Sequence, residues 1–129
     1  KNLQDYLVFR DAHFRNHGFR CNLPLGSYYV RRDTNSLLSY TADGDTFSRD
    51  PIHASSKRDH EDWNRFLEAF NEWSHERGGI PLLNQSPFVK KAHVVSAYGD
   101  RWTKMCTWIH EQDPTGRMVN AFFKELMVD

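Results

Sequence analysis

The clearest pattern in the chain is an apolar stripe in its middle. Trp63, Phe66, Leu67, Phe70 and Trp73 fall at i, i+3, i+4, i+7 and i+10, with charged and amide residues between them. That spacing puts five large side chains on one side of a helix. Ser56 and Asp59 before it have the spacing of a capping box, and Gly78 after it supplies a stop. A first helix is predicted over "LQDYLVFRDAHFRNHG", with Leu3, Leu7 and Phe14 on one face, Tyr6 and Phe9 beside it, and Gly18 as the stop. "CNLPLG" then reads as a connector.

Between the helices the period shortens. "SYYVRR" and "SLLSYT" are rich in β-branched and aromatic residues and are separated by the turn "DTN". "TFSRDPIHA" reads as a third strand ending near Pro51, which makes an antiparallel meander. Downstream, Ser86-Pro87 has the form of an N-cap followed by Pro at the first helical position, opening a helix that ends near Gly99. Asp100 then serves as a cap for a helix whose stripe is Trp102, Met105, Cys106 and Ile109. "DPTG" is a turn, and "MVNAFFKELM" closes the chain as a short helix. The expected fold is α+β: one domain over residues 1–129, with helices packed on one face of a small antiparallel sheet.

Composition narrows the classes. Seventeen Lys and Arg balance 17 Asp and Glu, so no global charge points to nucleic acid or an anionic membrane. No apolar run has the length of a membrane span. Cys21 and Cys106 are far apart and form no CxxC pair, which fits reduced thiols in a cytoplasmic protein. The chain opens on Lys1 directly into a helical pattern, as a piece of a longer polypeptide would.

Few residues point to chemistry by themselves. His13 and His17 have the i, i+4 spacing of a metal pair, but no Glu follows the first, and they read as surface residues of a helix. No metal site is expected. Alternation along the first strand puts Tyr29 and Arg31 on one face, a phenol beside a planar donor fork suited to a polar or anionic ligand; a salt bridge is the plainer reading. Trp63, Trp73, Trp102 and Trp108 read as core. "GGIPLLNQSP", from Gly78 to Pro87, joins a helix stop to the neutral amides Asn84 and Gln85. No nucleophile with a base, phosphate loop or dinucleotide fingerprint occurs, so no catalytic residue is assigned.

The closing stretch "DPTGRMVNAFF" resembles the end of FAD-dependent oxidoreductases of the vanillyl-alcohol oxidase and p-cresol methylhydroxylase type, nearest the sugar-alcohol and aldonolactone oxidase branch. Asp113, Pro114, Arg117, Asn120, Phe122 and Phe123 carry the likeness. The order of meander, long helix, Gly/Pro loop and paired helices agrees with it. The resemblance implies the C-terminal, substrate-covering part of a longer enzyme that passes hydride from a hydroxyl-bearing small molecule to flavin, and that is inactive alone. FAD would be bound mainly by an upstream domain. Tyr29, Arg31, Asn84 and Gln85 would then bind substrate, and Asn120 the cofactor. Where sugar oxidases carry His-Trp-Gly-Lys, this chain has Leu83-Asn84-Gln85-Ser86. The alternative is a stand-alone α+β module that binds a ligand or forms a homodimer without catalysis.

Overall fold

The computed structural model describes residues 3–127. In chain order it has α1 (Leu3–His17), β1 (Gly26–Val30), β2 (Thr46–Asp50), α2 (His60–His75), α3 (Lys91–Tyr98), α4 (Asp100–Gln112) and α5 (Ala121–Met127). The class is α+β, as expected. β1 and β2 pair antiparallel with Tyr28 opposite Ser48 and Tyr29 opposite Phe47.

The apolar stripe of α2 does what its spacing requires. Phe66 is completely buried, at 0% exposure, and with Tyr6 and Phe19 forms the centre of an N-terminal core. Phe9, Trp63, Phe70 and Trp73 close around them. A second core gathers Val89, Val94, Tyr98, Trp102 and Leu126, flanked by Leu38, Phe122 and Phe123. Its hub is α3, which packs against α2, α4 and α5.

Five local expectations are corrected. "SLLSYT" is not a strand but a run of turns, with the Ser39 N–H on the Ser36 carbonyl at 3.1 Å. The curl sends Leu38 into the C-terminal core and offers the Ser39 carbonyl to Arg101 of α4 at 2.7 Å. Two packing contacts outweigh strand propensity here, and the meander reduces to a hairpin. Ser86-Pro87 does not open α3, which starts only at Lys91. Phe88 has φ of 60°, incompatible with a continuous right-handed helix, and the Pro87 carbonyl is taken by the Asn71 amide at 2.6 Å.

On α1 the buried side chains are Tyr6 and His13, while Leu3, Leu7 and Phe14 are exposed. The aromatic ring of α2 packs best against aromatic partners: Tyr6 meets Phe70 edge-on at 6.0 Å, and Phe9 lies 5.1 Å from Trp73. Trp108, expected in the core, is 57% exposed on the outer side of α4. The cap at Asp100 is likewise displaced, since the N-cap of α4 is Gly99, with Asp100 in the first turn.

Phe66→Ala removes the residue on which the N-terminal core closes. It should lower unfolding free energy by about 3–5 kcal/mol, read from urea denaturation. A loss under about 1 kcal/mol would mean the two aromatic helices do not depend on it.

Candidate functional site

A cleft of about 420 Å³ lies between β2 and the end of α2. Residues Asp45 to Asp50 all line it. Successive strand residues point to opposite faces, so a run of six neighbours can share one wall only if the strand presents its edge. The opposite wall is apolar: Phe70 and Trp73 from α2, then Ile80, Pro81 and Leu82. His75 and His93 also face this space.

The segment Gly78–Leu82 sits where it does because α2 is closed by its own backbone. The Gly78 N–H reaches the His75 carbonyl at 2.9 Å and the Gly79 N–H reaches the Ser74 carbonyl at 2.8 Å. These are the paired bonds of a Schellman motif, with Gly78 at φ 68°. A Cβ on Gly79 would come within 2.8 Å of the Ser74 carbonyl oxygen and closer still to its hydroxyl, so glycine is required. Beyond the closure, the Tyr98 hydroxyl donates to the Pro81 carbonyl at 2.6 Å. Burial pushes that phenol up to about 12, which keeps it a donor.

A polar group stands behind the cleft. His93 of α3 is buried, and its Nε2 lies 3.2 Å from a Glu72 carboxylate oxygen. Its Nδ1 accepts the Lys90 N–H at 3.3 Å. The second Glu72 oxygen takes the Lys90 ammonium. Lys90 and then His93 hold the Glu72 carboxyl below the usual carboxylate range, and Glu72 holds the Lys90 ammonium above its own. The His75 ring lies against His93 with centroids 4.8 Å apart. Sequence reasoning missed this group. Its signal is two i, i+3 pairs, Glu72/His75 and Lys90/His93, on helices joined by a short loop.

The residues expected to form a site fall elsewhere. Tyr29 is 55% exposed on β1, and its hydroxyl donates to Asp45, which also accepts the Arg32 N–H at 2.8 Å. The bond to Asp45 raises the Tyr29 phenol and lowers the carboxyl. Tyr29 therefore touches the cleft wall through Asp45 and through Phe47, whose ring is 5.2 Å away. Arg31 is exposed just past β1. Asn84 and Gln85 are exposed on the turn closed by the Gln85 and Ser86 N–H groups on the Leu82 carbonyl, both at 2.9 Å; of that turn, Leu82 and Ser86 line the cleft.

Asn120 is remote from that loop in sequence and caps α5, its side-chain oxygen accepting the Phe123 N–H at 2.9 Å. Asp113 organises the closing turn in the same way, accepting the Met118 N–H at 2.7 Å and the Arg117 N–H at 3.0 Å. Those bonds, Met118 first, hold its carboxyl low.

The other candidates are structural. The His13 and His17 rings lie 4.6 Å apart and tilted, burial lowers the basicity of His13, and no cluster of three metal-ligating side chains exists among the described residues. Cys21 and Cys106 form no disulfide, and burial pushes the Cys21 thiol up to about 11, which disfavours its thiolate. No helix among the described residues is long and apolar enough to cross a membrane.

Glu72 has a depressed folded-state pKa, so its contribution to stability is complete above the ordinary carboxylate range and is lost as pH falls through the folded value. The urea midpoint of Glu72→Gln should therefore lie below wild type at neutral pH, with the gap closing as the pH falls below the ordinary carboxylate range. A gap independent of pH would assign the effect to packing. Asn120→Ala should cost about 1 kcal/mol of stability in a thermal melt, and Asn120→Asp should recover most of it.

Comparison of the chain with known protein families, with characterised proteins and with solved structures finds no match.

Proposed function

We propose that this chain is the substrate-covering C-terminal part of an FAD-linked oxidoreductase acting on a hydroxyl-bearing small molecule. The observation that carries the reading is the cleft itself. A loop at the position where the resembled enzymes present pocket residues borders a space of about 420 Å³, with an apolar wall on one side and a strand edge on the other. That volume suits a small organic substrate, with the apolar wall excluding water and polar groups at its margin fixing orientation.

The residues present do not fit the holding of FAD by this chain alone. The N–H groups of Gly78 and Gly79 are spent on closing α2. A pyrophosphate needs such donors free. The dinucleotide therefore belongs to an upstream domain in this reading, and the chain contributes the substrate side. Flavin, when bound, supplies the hydride acceptor. Arg31, expected as the anchor for a polar or anionic group, is exposed just past β1 and does not line this cleft.

One observation favours a module that binds a ligand or a second copy instead: the rings of Tyr29 and Phe47 lie together in the open on the hairpin, Phe47 at 64% exposure. The readings separate on the intact gene product. The oxidoreductase reading expects an open reading frame continuing upstream through a flavin-binding domain, and a purified full-length protein with flavin absorbance bands. A colourless protein that stays colourless after incubation with FAD would sink it.

A further inference from the structure

The cleft contains an imidazole with no partner of its own. His75 is the last residue of α2 and lines the cleft, and neither of its ring nitrogens has a hydrogen-bond partner among the described residues. Its ring face, by contrast, is held. His93 lies against it at 4.8 Å, and both nitrogens of His93 are occupied, one by the Lys90 N–H and one by Glu72. Glu72 is fixed in turn by Lys90. The result is a chain of contacts from Lys90 through Glu72 and His93 to the ring of His75, which lines the cleft.

We propose that His75 is the acceptor for the hydroxyl proton of the cleft's ligand, with His93 as its positioning residue. This rests on the reading of the cleft as the site of a hydroxyl-bearing substrate, and it fills a gap in that reading. The substrate-side chemistry requires a group that takes the hydroxyl proton, and the loop at the expected position offers only amides, which are not bases. In the step proposed, the ligand's O–H bond breaks, an N–H bond forms on His75, and the pair becomes alkoxide and imidazolium. No electron is transferred in it.

The charged and titratable groups around this space come from every neighbouring element: Asp5 of α1, Asp45, Arg49 and Asp50 along the hairpin, Arg77 after α2 and His93 of α3. Both signs are present, so the surroundings impose no single-sign field on the ring. An imidazole nitrogen takes a proton only through its free lone pair, which an amide at the same place would not offer. The edge of β2 opposite places no further histidine or lysine in the cleft.

The test uses the full-length protein and diethyl pyrocarbonate, which acylates neutral accessible imidazoles, with each histidine followed by peptide mass mapping. Benzyl alcohol is the probe, because the wall is aromatic and aliphatic, and toluene is its hydroxyl-free control. His75 should be acylated and His93 spared. Benzyl alcohol should slow His75 acylation at least several-fold more than toluene does, near pH 8. Equal protection by the two probes, or an unreactive His75, overturns the assignment. His75→Gln provides the control for mapping, since reactivity at the other histidines should stay as in wild type if the fold holds. A flavin-bearing protein whose His75 fails this test loses the His75 assignment alone. A flavin-free protein that passes loses the oxidoreductase reading and keeps His75 as the hydroxyl acceptor of a binding site.

Discussion

Two apolar cores that share no residue must be held in register by something other than apolar packing. Here the joint is polar and lies on the far side of α2 from its aromatic stripe. Glu72 binds Lys90 and His93, and Asn71 binds the Pro87 carbonyl. The two residues are adjacent, so one turn of α2 fixes both the start of α3 and the loop before it. Each bond is modest in water, but those to Glu72 are charge-assisted, and one partner is buried. Without them α2 would still complete the N-terminal core, while the C-terminal core would lose its angle to it. The cleft, whose wall is made partly from each side, is a product of that angle.

The same economy appears in the hairpin. A two-stranded sheet of five-residue strands is marginal in water. This one is completed by its own connection, where Asp45 gathers the Tyr29 hydroxyl and the Arg32 N–H, and Arg101 reaches across from α4 to the Ser39 carbonyl and to Asp43 at 3.5 Å. Arg101 also lies over the Tyr98 ring at 5.4 Å. One guanidinium thus ties the loop of the sheet to the C-terminal core.

Periodicity revealed the parts whose environment is set along one helix. The α2 stripe, its glycine stop and the terminal helix were legible because burial repeats at the helical period. α1 misled because apolar residues are spread around it, and the choice of buried face is made by the rings of α2. "SLLSYT" misled because two contacts more than fifty residues away in sequence, at Arg101 and the C-terminal core, outweigh its strand propensity. The candidate site divides along the same line. The Gly78–Leu82 segment was visible as a turn beside an apolar run. His75 and His93 were not, because the two i, i+3 pairs that carry them lie on separate helices and only the fold brings the imidazoles together.

The loop between Gly79 and Val89 is pinned at both ends through its backbone, at the Pro81 carbonyl by Tyr98 and at the Pro87 carbonyl by Asn71. Its tip, Asn84 and Gln85, is exposed and outside both cores. Main-chain anchors do not depend on side-chain identity at the tip. Those positions are therefore free to drift in sequence while the loop keeps its path, which makes the segment an exchangeable cassette: a place where a mutant library can change the surface beside the cleft without taxing the fold.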